Sequence, residues 1–259
     1  MYVIRTNGGV GGGALRDAPL SRLGVMKTIF YNRTPYLAAQ LTVPQCFIDL
    51  DEFYDPLVPD VSRIPGAVHL QHAENICRRM GDIDLYALFI NDAEAHPDYF
   101  WAATIIASYL VGFFGACKSL FDAASVFLAD RHALGLANRD QDMGKGRFWN
   151  SLQGRSAKSF ARFKTFRPLC DQVILWRDAS VHRTTPLVLV HSPGPPERAS
   201  REAIFVRMVA TPGATANSVI DIPDAVTWLG PLDLYNAWRP SLVALCSEIC
   251  VEIKESLRP

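Results

Sequence analysis

The sequence predicts a mainly α-helical bundle over residues 98–259, preceded by a mixed, partly irregular N-terminal extension over residues 1–97 and carrying a β-hairpin insertion at about 187–228, before the last helix. Three observations predict it. An apolar run from Tyr99 to Cys117 continues at helical spacing past Lys118 through Leu120, Phe121, Ala124, Phe127 and Leu128. Pro97 and Pro168 stand where helices begin. Leu242, Leu245, Cys246, Ile249, Cys250 and Ile253 repeat every three or four residues, so they line one face of a terminal helix.

A chain of 259 residues, 49 % hydrophobic and 20 % charged, has the composition of a globular protein with a sizeable core. Its 26 basic and 26 acidic residues cancel, so any polyanion must be held by a local patch rather than by net charge. The six cysteines are scattered and lack the spacing of a zinc knuckle or redox motif, which makes them reduced core thiols.

Taken in order, Met1 to Arg16 lacks the charged start and apolar core of a secretory signal, and a cytoplasmic location is expected. Asn7 to Gly13 is a glycine-rich turn or tail without the following Lys-Ser/Thr of a phosphate loop. Lys27 to Pro59 mixes short apolar runs with Pro, Asp and Asn and reads as irregular, with a strand or two, while His69 to Met80 forms a short helix. From Asp98 a long helix runs to about Leu136. Tyr99 to Cys117 is uncharged and long enough to span a bilayer, but the amphipathic continuation favours a buried helix and no membrane partner. Asn138 to Gly146 is a polar loop, a second helix covers Phe148 to about Phe166, and a third begins near Pro168 and ends before Pro186. The runs at Leu187–Val190 and Ala203–Val209, separated by Ser192–Pro196, give the hairpin.

The third helix ends in Leu-Trp-Arg-Asp-Ala-Ser-Val-His, which contains Arg177, Asp178 and His182. His182 can accept and return a proton near neutral pH. Arg177 offers a fork of donors matched to phosphate oxygens. Asp178, one turn before His182, either orients that imidazole or pairs with Arg183. An arginine, a polar residue and a histidine four to six positions on resemble the signature of the HEPN superfamily of helical domains. Arg63 and His69 also meet the bare pattern, through a Pro-Gly segment, but only the Arg177 copy ends a core helix and carries the polar neighbour.

The resemblance covers about residues 98–259 and implies an HEPN-like helical bundle acting as a metal-independent endoribonuclease of toxin or phage-defence type. It implies no cofactor, RNA as substrate, a homodimer with Arg177 and His182 at the shared interface, and a cognate antitoxin as a further partner. Arg177 and His182 are five positions apart, roughly 140° around a helix, so within one chain they project together only if the helix frays or Arg177 reaches around, and the resemblance implies that a second subunit completes the site. From Lys145 to Arg167 no acidic residue interrupts a series of cations. Lys158, Arg162, Lys164 and Arg167, with Arg183 beyond, are therefore the expected RNA-binding residues. Alternatives are a non-catalytic helical module that binds RNA, a nucleotide or a protein, and a membrane-associated protein anchored by residues 99–117.

Overall fold

The computed structural model describes residues 41–54, 68–182, 188–191, 205–209 and 228–257. Among them the chain is a helical bundle: α1 (Gln45–Tyr54), α2 (Val68–Glu94), α3 (Tyr99–Arg131), α4 (Gly146–Arg155), α5 (Ala157–Phe163), α6 (Arg167–His182) and α7 (Asp233–Leu257).

Helix α3 is the axis of the core. Asp98 caps its start by accepting from the Trp101 amide at 3.0 Å, which satisfies one of the amides a helix leaves open. Ile106, Leu110, Phe113, Phe114, Cys117, Leu120 and Phe121 are all sealed from solvent. The segment Trp101–Arg131 is long and apolar enough to cross a membrane, by length and composition. The helix stops at Arg131, short of the expected Leu136, because Ala133 and Gly135 take left-handed backbone angles (φ 47° and 63°) that no right-handed helix can absorb.

The short helix expected at His69–Met80 extends to Glu94, a 27-residue element. Its stripe Ala73, Ile76, Cys77, Met80, Ile83, Ala87 and Ile90 is buried and packs along α3, to which a four-residue turn joins it. At Gly112 of α3 the Tyr86 ring fills the space that a Cβ would need, so the ring packs directly on the α3 backbone there. Residues 45–54, expected to be irregular, form a helix after Pro44 because Phe47 and Leu50, three apart, bury completely against α7.

The second expected helix is two. Ser156 leaves helical geometry (φ −150°, ψ 93°) and caps α5 by accepting from the Ser159 amide at 3.2 Å. Helix α6 buries Cys170, Val173 and Ala179, and Trp176 stacks on Phe114 with ring centroids 5.4 Å apart. That stack fixes the rotation of α6 and hence where Arg177 points. Helix α7 runs through Pro240, whose ring offers no amide to Asn236; Phe113 stacks on Trp238 at 5.9 Å, and Leu242, Leu245, Cys246, Ile249 and Ile253 seal its inner face.

Strand segments Val188–His191, Phe205–Val209 and Trp228–Leu229 pair antiparallel in that order. The expected hairpin insertion, about 187–228, falls mostly outside the described residues and is not supported as a unit by these short segments. The Asn7–Gly13 turn also lies outside them.

Candidate functional site

Helix α6 is regular as far as His182. Positions 177 and 182 therefore lie roughly 140° apart around its axis, and the geometry of one chain does not bring them to one side. The His182 side chain and all of Arg183 lie outside the described residues. Arg177, its side chain 36 % exposed, donates from Nη1 to Asp178 Oδ1 at 2.9 Å. Asp178 thus faces the guanidinium of its chain neighbour, a pairing that differs from the His182 or Arg183 partner expected from the sequence.

Arg177 lines a groove of about 560 Å³ between α2, α3 and α6. Arg79 and Asp82 come from α2, and Lys118 and Asp122 from α3. Arg79 Nη1 and Asp82 Oδ2 are 3.5 Å apart, at the edge of contact. Lys118 donates to Asp122 and reaches Asp142 at 3.4 Å. Burial pulls this ammonium down, but the two carboxylates outweigh it and raise its pKa. A partly desolvated site with cations on its walls can bind an anionic group and stabilise charge that grows on it.

The basic segment is placed elsewhere. Lys158 pairs with Glu255 at 2.9 Å, and Arg162 reaches Glu248, Glu252 and Glu255 at 3.2, 2.8 and 3.2 Å. Burial lowers the Arg162 pKa, and the three carboxylates outweigh it and raise it. Arg167 lies 3.7 Å from Asp171, and Lys164 sits over the Phe160 ring at 5.0 Å. The carboxylates absent from 145–167 arrive from α7, so Lys158 and Arg162 join two helices. Among the interleaved aromatics, Phe148, Trp149 and Phe163 are buried.

Glu252, 3 % exposed, is the centre of that junction. It accepts from Ser159 Oγ at 3.1 Å and from Arg162, and His132 Nε2 lies 3.3 Å away without hydrogen-bond alignment. Burial raises its pKa, but His132, Ser159 and Arg162 more than reverse this, and the carboxyl stays below its ordinary range.

Comparisons with protein-family models, with curated proteins and with solved structures find no match for this chain.

His69 and His72, spaced like metal ligands, contact Ser256 at 3.0 Å and Asp130 at 3.0 Å respectively. Among the described residues no group of three His, Cys, Asp or Glu could hold a metal ion. Burial pushes the His69 imidazole below its ordinary value, helped by Arg131, His72 and His132 against Asp130. A group that holds its proton less readily folded than unfolded makes stability rise with pH. The contribution of neutral His69 is complete above about pH 6.5, and it is lost as pH falls through the lower folded value. Urea denaturation at about pH 7.5 and about pH 5.5 is expected to show wild type losing stability on acidification and His69→Gln losing less. Equal losses would refute it.

Proposed function

We propose that this chain is an HEPN-like, metal-independent endoribonuclease of toxin or phage-defence type, acting in the cytoplasm as a homodimer. The reading is carried by Arg177, which stands at the end of a core helix, is oriented by Asp178, and opens on a groove with two further cations. The ribose 2′-hydroxyl attacks its own phosphate and expels the 5′-oxygen, leaving a 2′,3′-cyclic phosphate. One His182 takes the hydroxyl proton, the other protonates the leaving oxygen, and Arg177 holds the phosphate oxygens. The separation of positions 177 and 182 around α6 calls for two subunits at the site.

Purified protein incubated with single-stranded RNA and a chelator is expected to release cyclic-phosphate ends, and His182→Ala is expected to release none. Cleavage at the same rate by both proteins would remove the assignment. A second reading, a helical module that binds RNA or a nucleotide without turnover, is favoured by that same angular separation if the chain acts alone. It predicts binding that needs Arg177 and no product from any variant.

A further inference from the structure

The groove beside Arg177 has two kinds of wall. One is largely apolar, formed by Tyr86 and Phe89 of α2 together with Gly112 and Gly115 of α3. Packing holds it in place: the Tyr86 ring sits on Gly112, and Phe89 lies against Tyr109 with centroids 5.3 Å apart. At Gly115 a Cβ would meet no atom within 4 Å, so this part of the wall faces open space.

The other wall is charged and mixed in sign. Arg79, Lys118 and Arg177 stand with the carboxylates Asp82 and Asp122. Carboxylates in the rim disfavour a bare polyanion. They suit a ligand that presents an anionic group at one end, N–H donors at another, and a flat face between. Asp122 is engaged by Lys118. Asp82 has Arg79 only at 3.5 Å, and its side chain is 28 % exposed, so it is the acceptor in reach of a ligand. An ionised carboxylate accepts and cannot donate. It therefore selects a base edge with two adjacent N–H groups, as on guanine, and disfavours uracil, whose single N–H lies between two carbonyls. The volume of about 560 Å³ falls within the roughly 300–1,000 Å³ of small-ligand sites.

We infer that this groove is a nucleotide subsite that takes one guanine nucleotide, with the base against Tyr86 and Phe89, its N–H edge on Asp82, and its phosphate toward Arg177 and Lys118. The inference rests on the reading of Arg177 as a phosphate-binding residue. A free guanosine monophosphate and a guanosine unit within single-stranded RNA share this chemistry.

Calorimetric titration of the full chain separates the possibilities. The probes are guanosine 5′-monophosphate, uridine 5′-monophosphate, inorganic phosphate, and a short 2′-O-methyl RNA with a single guanosine, which cannot be cleaved at that sugar. The guanine mononucleotide is expected to bind about ten-fold more tightly than the uracil one, the size of one good bidentate contact. Asp82→Asn is expected to erase most of that preference, and Gly115→Leu, which fills the open wall, to abolish binding with an unchanged circular dichroism spectrum. Displacement of the mononucleotide by the methylated RNA identifies a unit within a strand as the ligand, and its absence identifies the free nucleotide. Equal affinity for both mononucleotides and inorganic phosphate, or unaltered binding by Gly115→Leu and Asp82→Asn, overturns the subsite. RNA cleavage that needs His182 without guanine binding sinks the subsite alone; guanine binding without any RNA cleavage sinks the nuclease reading alone.

Discussion

Arg177→Ala is expected to lower RNA cleavage by about 10²- to 10³-fold, the loss that follows removal of one donor from a developing oxyanion, while the thermal midpoint stays within a few degrees. The structural half of this expectation comes from where the side chain sits. Its partner Asp178 is 51 % exposed, and an ion pair so open to water contributes about 0–1 kcal/mol. The core contacts of α6 are made by its neighbours Cys170, Val173 and Trp176, which the substitution leaves alone. Arg177→Lys keeps the charge but loses the planar fork, so it is expected to recover only part of the rate. A discontinuous assay on one RNA, beside a melt of each protein, reads both halves. Full activity in Arg177→Ala would leave the groove without a catalytic arginine, and a collapse of the melt would place Arg177 among the residues that hold the fold.

Periodicity made the bundle readable where it was long and strict. The spacing from Ile106 to Leu128 and from Leu242 to Ile253 leaves only a helix able to bury those residues together. It gave less where a few atoms decide. The end of α3 depends on left-handed angles at Ala133 and Gly135, and the break between α4 and α5 depends on one serine hydroxyl at Ser156. Helix α1 is ten residues long and surrounded by Pro, Asp and Asn, and what makes it helical is α7, far along the chain, against which Phe47 and Leu50 close. Tertiary burial there overrides local composition.

The surroundings of the candidate site are legible in the sequence only in part. Arg177 was visible as a helix-end arginine, but the groove it borders is assembled by Tyr86 and Gly112 on α2 and α3, and no local pattern marks their approach. The run from Lys145 to Arg167 reads as an open basic face because the counter-charges of Lys158 and Arg162, which are Glu248, Glu252 and Glu255, lie some ninety positions later. The sequence does carry one signal of these pairings. Glu252 continues the stripe of Leu245 and Ile249 on α7, and Asp84 falls on the stripe of Cys77, Met80 and Ala87 on α2. A carboxylate on a core stripe predicts a buried partner, because an isolated buried charge is too costly to keep.

Among the substitutions proposed, the largest stability effect is expected at Asp84. It is 3 % exposed, and it accepts from Tyr235 Oη at 2.9 Å and from Arg239 Nε and Nη2 at 3.0 and 3.2 Å. The three bonds tie α2 to the first turns of α7, immediately before Pro240, where the helix lacks a backbone bond to Asn236. Their electrostatic mark is on both partners: burial and Asp84 together push Tyr235 up to about 12, and the bond to Asp84 raises Arg239 against the pull of its burial. Removing one member of such a group leaves the others desolvated and unpaired, which costs about 3–5 kcal/mol when all are buried. The Arg239 side chain is 34 % exposed and can partly rehydrate, so Asp84→Ala is expected to cost about 3 kcal/mol, the low end of that range. The triple change Asp84→Leu, Tyr235→Phe and Arg239→Leu removes every polar member at once and is expected to recover most of the loss, since a well-packed apolar set often equals a buried ion pair. Urea denaturation of the three proteins decides it. A loss under about 1 kcal/mol in Asp84→Ala, typical of a surface pair, would mean that α7 is held by its aromatic contacts, Phe113 on Trp238 above all, and that the charge cluster contributes nothing measurable.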